Sequence, residues 1–528
     1  MHSPGPFSRA QRILGPFTLL GLTVLMIGRF ALAEDEGFIP IFDGTTLQGW
    51  EGDAALWRIE DGAIVGETKA EAPVAANQFL IWSDGEADDF ELKAEFKIDG
   101  GNSGIQIRSF RIPEEGPHRV GGYQADFDAA NAWSGTCYGE KFRGILAKRG
   151  EVATIGEDGK PIVQSILGNT EDLAASIRTG DWNEYHIVAR GPVITLSING
   201  QKMSEITDED LDTRRRSGLI AFQLHKGDPM KVAFRNIRLK RLPLDKVAKI
   251  VFVAGKPSHG PRQHEHNAGC LLLAGLLNTH HADKVLATVY RNGWPSDPTA
   301  FDAADAVVIY SDGGKGHPAY YHLDDLARLR AAGVGLGAIH YAVEMEPGES
   351  NDALIASIGG AFEVNYSVNP HWIASFKAYP QHPVASGLSS FEINDEWYFN
   401  MRFTDPSERL VPILSAVPTP DTMSRGDGNH SGNPEVRKMV ADGLPQHLCW
   451  TYRTESGSRG FGFTGGHYHD NWASDPFRMT ALNAICWIAG VEIPSAGIVT
   501  PTPETAALDA NLDPKQPKPA KPAPKPKP

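Results

Sequence analysis

From Gly37 to about Pro243 the apolar residues recur at every second position. Phe90, Leu92, Ala94, Phe96 and Ile98 alternate with polar neighbours, the pattern of a strand with one buried face. Ile105/Ile107, Ile187/Ala189 and Ile194/Leu196/Ile198 repeat the period, and Val232, Phe234, Ile237 and Leu239 close it. Asn199-Gly200 marks a hairpin, because both residues of such a turn must tolerate positive φ. Many short strands with few helical stretches predict an all-β sandwich or jelly roll over residues 37–243.

Beyond Leu244 the period changes. Lys249 to Gly255 is a continuous apolar run ending in glycine, as a strand buried on both faces requires. Residues 305–310, 334–339 and 460–464 give three more such strands, and helical stretches run through Cys270–Leu276 and Leu323–Ala332. The alternation predicts a parallel, doubly wound α/β domain over residues 247–492. In such sheets ligands bind in the crevice beyond the carboxyl ends of the strands, and that is where the histidines fall. His259, His264 and His266 follow the first strand, and His317 closes the Asp312–Lys315 loop after the second. His340 ends the third, and His467 and His469 follow the fourth. Imidazole serves as a divalent-metal ligand and as a near-neutral acid or base, so these seven residues form a candidate ligand or metal crevice. The His264-x-His266 spacing suits one metal held by an irregular loop, but the pattern supplies no matching carboxylate.

In the first domain, alternation along a strand turns Gln124 and Asp126 to one side, and likewise Gln223 and His225. Asn102, Tyr123, Tyr138 and Gln223 are candidate substrate contacts; with Trp133, the tyrosines offer flat surfaces for sugar rings. Arg108 and Arg143 are the candidate cations beside them.

The ends and the charge narrow the setting. Arg9 and Arg12 precede an apolar run, Ile13–Ile27, and Ala31-Leu32-Ala33 follows, which makes residues 1–33 an expected signal peptide and the chain periplasmic or extracellular. The run is shorter than the ~20 residues of a spanning helix, so no transmembrane helix is expected in the mature chain. The net charge of −15 argues against nucleic acid as a partner. The four cysteines are scattered without metal-knuckle spacing. Residues 493–528, most plainly the Pro/Lys-rich stretch from Asp513, are expected to be a disordered basic tail able to touch an anionic surface.

Two resemblances add chemistry. Phe42-Asp-Gly-Thr-Thr-Leu-Gln-Gly-Trp50, Asn102-Ser-Gly-Ile105, Asp181-Trp-Asn-Glu-Tyr185, Gln223-Leu-His225 and Phe234-Arg-Asn-Ile-Arg238 resemble the 3-keto-disaccharide hydrolase (DUF1080) family, in the family's order. That resemblance implies a concanavalin-like jelly roll; one departure is Gly122-Tyr-Gln-Ala-Asp126, where the family commonly reads Gly-Tyr-Glu-x-Gln. Ser258-His-Gly-Pro-Arg-Gln-His-Glu-His266, Gly337-Ala-Ile-His-Tyr341, Asp395-Glu-Trp-Tyr398 and Phe461–His469 resemble the trehalose-utilisation (ThuA-like) family, which implies a fold similar to class I glutamine amidotransferases. At the sharp turn where those enzymes carry a nucleophilic cysteine, this chain has His340.

The first resemblance implies glycosides oxidised at C3, and the chemistry follows. The ketone acidifies the C2 hydrogen, a base removes it, and the enolate expels the C1 substituent; water then adds back. His225 is the expected base, Gln124 and Asp126 orient the sugar, and Arg108 or Arg143 meets the oxyanion, a role a divalent metal could also fill. The rival reading is a carbohydrate-binding sandwich attached to a ThuA-like domain that holds the only active site. No nicotinamide fingerprint is present, and neither nicotinamide nor flavin is expected.

Overall fold

The computed structural model describes residues 36–404 and 409–515. The expected signal peptide and residues 516–528 of the expected tail lie outside the described residues.

Residues 39–241 form two stacked sheets, one of ten strands and one of seven among the described residues. The apolar face of Phe90–Asp99 meets that of Asn102–Arg111, Val120–Asp128 and Leu219–Leu224 in one core. Phe96 packs on Phe127 with ring centroids 4.1 Å apart, and Phe222 stacks on Phe234 at 3.9 Å, so aromatic rings join the sheets. Each buried ring contributes about 1.5–3 kcal/mol. The same alternation that sends Ile105, Ala125 and Phe222 inward leaves Gln106, Gln124 and Gln223 on the outer face of the seven-stranded sheet.

The second domain is built on a seven-stranded sheet. Its first five strands in spatial order, Val285–Tyr290, Ala248–Ala254, Ala306–Tyr310, Gly335–Ile339 and Arg459–Phe463, are parallel. Gln446–Arg453 and Leu410–Ala416 continue it antiparallel. Both faces are covered, which is why the strands read as unbroken apolar runs. Ile250 and Phe252 face a core shared with the helices His266–His280 and Asp475–Ile488, while Val251 and Val253 face a second core with Leu323–Ala331 and Glu349–Ile358. No helix among the described residues is long and apolar enough to cross a membrane. The four cysteines are buried and unpaired.

The domains meet through a buried ion cluster at the crossover. Lys249 Nζ lies 3.0 Å from Asp88, and Arg241 reaches both Asp88 at 3.5 Å and Asp297 at 2.8 Å. Burial pushes the Asp88 carboxyl up, but Lys249 and Arg241 outweigh it and hold it below its usual range.

The structure corrects the expected tail. Residues 493–515 fold against the α/β domain: Ile498 is buried in its core, and the short helix Thr505–Asp509 buries Leu508. Lys515 Nζ pairs with Glu265 at 3.2 Å and donates to the His264 carbonyl. The prolines hide this segment from any helical or strand period, yet long-range polar contacts anchor it.

Candidate functional site

The outer face of the seven-stranded sheet carries a cleft of about 510 Å³. At its floor, Gln124 stands opposite Gln106 on the neighbouring strand, as Asp126 stands opposite Gly104. Gln106 and Gln223 both donate to the Gln124 carbonyl, the latter at 3.0 Å, and the Gln124 amide donates to Asp126. Gly104 makes this possible, because a Cβ there would stand 2.5 Å from the Gln124 side chain. Burial pushes the Asp126 carboxyl up to about 7; the charges of Glu140 and Asp128 add to this, while the Gln124 amide opposes it.

His225 lines the rim and donates from Nδ1 to the Lys226 carbonyl at 2.6 Å, which leaves Nε2 with its lone pair. Asn102, Trp133, Tyr138 and Gln223 line the same cleft, so six of the nine first-domain residues expected at a site, together with Trp133, are brought together.

Three expectations are corrected. Tyr123 points into the sandwich core by the same alternation that exposes Gln124; it is 1 % exposed and donates to Asp208. Arg143 pairs with that same Asp208 behind the sheet. Arg108 sits at an irregularity of its strand with φ 45°, and its guanidinium is spent on Asp89 at 2.7 Å and on two carbonyls. The cations of the cleft are instead Arg119, Lys141 and Lys226. Sequence reading missed Asn77, hydrogen-bonded to Glu140 at 3.1 Å in the cleft wall. Asn77 belongs to no alternating strand signal.

In the α/β domain, four adjacent strands end at one place. His264, His340 and His467 converge there with Glu396, their facing ligand atoms all within 4.8 Å of one another. His264 Nε2 is 3.0 Å from His467 Nδ1 and 3.1 Å from His340 Nε2; Glu396 Oε2 is 3.1 Å from His467 Nδ1 and 3.6 Å from His340 Nε2. The three rings are buried. Burial drives His264 and His340 far below the usual imidazole range, so both are neutral. His340 occupies the turn at the strand end with φ 57°, and His264 has φ 47°. Left-handed backbone at a residue other than glycine costs about 1–3 kcal/mol and is tolerated where the surroundings enforce it. The His467 loop is fixed by Asp395, whose carboxylate accepts from the Gly466 and His467 amides at 3.0 Å each. Burial pushes that carboxyl up to about 6, against the Gly466 bond and one from the Asn471 side chain.

The other four histidines do not join the centre. His259 stacks on the His264 ring at 3.6 Å. His266 bonds the Lys256 carbonyl and sits 3.8 Å from Asp312, and burial lowers it to about 4. His317 caps a helical turn through the Ala319 amide, and His469 donates to the Leu508 carbonyl, tying down the C-terminal segment. The carboxylate missing from the sequence pattern is Glu396, which follows the two-stranded excursion Trp372–Phe376 and Phe391–Asp395. The Asp395-Glu-Trp-Tyr398 motif was its only signal.

The chain thus joins a sandwich with a carboxyl-bearing polar cleft to an α/β domain with a buried histidine–glutamate centre. Residues 37–240 match the family model of the 3-keto-alpha-glucoside-1,2-lyase-like domain, and residues 251–488 match that of trehalose utilisation, ThuA. The N-terminal domain resembles the first family and the C-terminal domain the second. A 3-keto-disaccharide hydrolase from Bacteroides thetaiotaomicron is 41% identical over 80 residues, a match spanning 14% of this chain and 27% of that relative. A proposed glycosyl hydrolase structure from Parabacteroides distasonis covers 40% of this chain and 95% of its own at 19% identity, TM-score 0.27. A proposed ThuA-like structure from Parabacteroides merdae covers 47% and 92% at 16% identity, TM-score 0.33.

Proposed function

We propose that this protein is an exported carbohydrate-processing enzyme whose sandwich cleft cleaves 3-keto-glycosides by elimination and rehydration. The reading includes a concanavalin-like jelly roll for the first domain and a doubly wound, glutamine amidotransferase-like fold for the second. The observation that carries it is that one polar cleft is lined by both Asp126, whose carboxyl burial pushes up to about 7, and His225, whose Nδ1 is committed to the Lys226 carbonyl.

His225 Nε2 takes the C2 proton, and the electron pair moves onto the C3 oxygen as an enolate. Arg119, Lys141 and Lys226 supply positive potential in the cleft for that oxygen. The enolate re-forms the ketone, a C1–C2 double bond forms and the C1–O bond breaks. Asp126, assigned at first only to orientation, gives its proton to the departing oxygen, a role that needs a pKa near the working pH. Water adds at C1 and gives its proton back to Asp126, His225 returns a proton to C2, and the net result is hydrolysis. Trp133 and Tyr138 offer ring faces to the sugar, and the Gln106–Gln124–Gln223 network holds amides toward its hydroxyls.

The test is aglycone release by the full-length chain from a 3-keto-glycoside in D2O. Elimination places solvent deuterium at C2 of the released sugar and leaves the unoxidised parent glycoside uncut. Binding without release favours the second reading, a carbohydrate-binding sandwich serving a catalytic ThuA-like domain, which the histidine–glutamate centre supports.

A further inference from the structure

We propose that His264, His340, His467 and Glu396 form a mononuclear site for a divalent first-row transition ion, with zinc the best fit, independently of the sandwich reading.

The first argument is size. An ion with bonds of about 2.0–2.1 Å to four ligands in a tetrahedron separates them by about 3.3–3.4 Å. Four of the six separations, 3.0, 3.1, 3.1 and 3.6 Å, bracket that edge, and all six lie within 4.8 Å.

The second argument is where the ring protons go. His264 Nδ1 is 2.7 Å from Asp312 Oδ1, and His340 Nδ1 is 2.9 Å from the Thr464 carbonyl oxygen. Both partners accept, so both Nδ1 atoms donate, and each ring turns its Nε2 to the centre. The two Nε2 atoms face each other at 3.1 Å inside the protein. A cation between them would turn that contact into two bonds. Outer partners of this kind, a carboxylate on one histidine and a backbone carbonyl on another, are the usual way proteins orient metal-bound imidazole.

The third argument is construction. Three ligands come from the chain after three different parallel strands and the fourth from the chain after a separate antiparallel pair, so the convergence is not a by-product of one helix or one loop. A second grouping, His259, His264 and Asp312, shares His264. The Asp312 oxygen in it already accepts from His264 Nδ1, which makes Asp312 a positioning residue for the first site. The centre is closed on the histidine sides and open beside Glu396, whose side chain is 12% exposed, next to His371. A water or a small oxygen ligand would reach the ion from there.

The test uses the full-length protein stripped with chelator and titrated with Zn2+ or Co2+ alone. The expected result is one ion per chain, a Co2+ absorption spectrum of low-symmetry four- or five-coordination, and X-ray absorption showing imidazole nitrogen with oxygen. Glu396→Gln should abolish the rise in thermal midpoint that Zn2+ gives the wild type. Asp312→Asn should weaken binding about 10–100-fold while retaining the ion's ligand set. A stripped chain that takes up no ion, or one whose uptake is the same in Glu396→Gln and His340→Ala, overturns the proposal. Should His340→Ala fail to fold, the absorption spectrum of the intact protein decides alone: oxygen-only coordination refutes the site.

Discussion

Replacing Asp126 by Asn should make the protein more stable at alkaline pH, although it removes a group assigned to catalysis. The carboxyl moves from an ordinary 3.8 to about 7 on folding, because it is desolvated beside Glu140 and Asp128. At 1.36 kcal/mol per tenfold change, that difference corresponds to about 4 kcal/mol. The sign follows from proton counting. Below 3.8 both states hold the proton and nothing is lost. Above 3.8 the unfolded chain releases it while the folded chain keeps it, so stability falls as pH rises, until the folded group ionises near 7. About 3 kcal/mol of the total falls between pH 5 and pH 8.5. Asn keeps the shape and can still accept from the Gln124 amide, but carries no charge. Urea unfolding of wild type and Asp126→Asn at both pH values, followed by the sandwich tryptophans, therefore gives a double difference in which other titrating groups cancel. The expected outcome is a stability gain for Asp126→Asn that grows by about 3 kcal/mol from pH 5 to pH 8.5. A difference that does not change with pH refutes the raised carboxyl and, with it, the general-acid role.

Two further outcomes test other parts of the structure. Asp88→Ala leaves Lys249 and Arg241 buried without their shared carboxylate and should cost about 3–5 kcal/mol in urea unfolding; a loss below about 1 kcal/mol means the domain joint does not depend on that ion cluster. Trp133, 46% exposed at the cleft, should contribute ring stacking alone, so Trp133→Ala should raise KM for a 3-keto-glycoside about 2- to 10-fold with kcat nearly unchanged; a fall in kcat at constant KM contradicts that role.

The fold was legible where side-chain period and burial coincide. Phe90 to Ile98 alternates because one face is buried, and Lys249 to Ala254 runs apolar because both are. The four parallel strands bearing the histidine loops were read with ends within a residue or two, while the edge strand Val285–Tyr290 and the antiparallel pair beyond Arg459–Phe463 were not separated from their surroundings. The site was legible where alternation was applied strictly: Gln124, Asp126 and Gln223 follow from it, and the same rule turns Tyr123, expected at the site, into the core. It was not legible where irregular backbone redirects a side chain. Arg108 would face the cleft by alternation, but the strand irregularity at φ 45° turns it to Asp89 and the Asp88 and Gly191 carbonyls. Glu396 could not be found by spacing, because it reaches the histidines from an excursion 56 residues past His340, and only the folded chain brings them within 3.6 Å.

The most direct test of the central claim is the initial rate of aglycone release from a chromogenic 3-keto-glycoside by the full-length wild type, His225→Ala and Glu396→Gln under one condition. The account predicts release by the wild type, a loss of about 100-fold or more in kcat for His225→Ala, and a rate for Glu396→Gln close to wild type. Release that survives His225→Ala and disappears with Glu396→Gln would contradict it and move the chemistry to the histidine–glutamate centre.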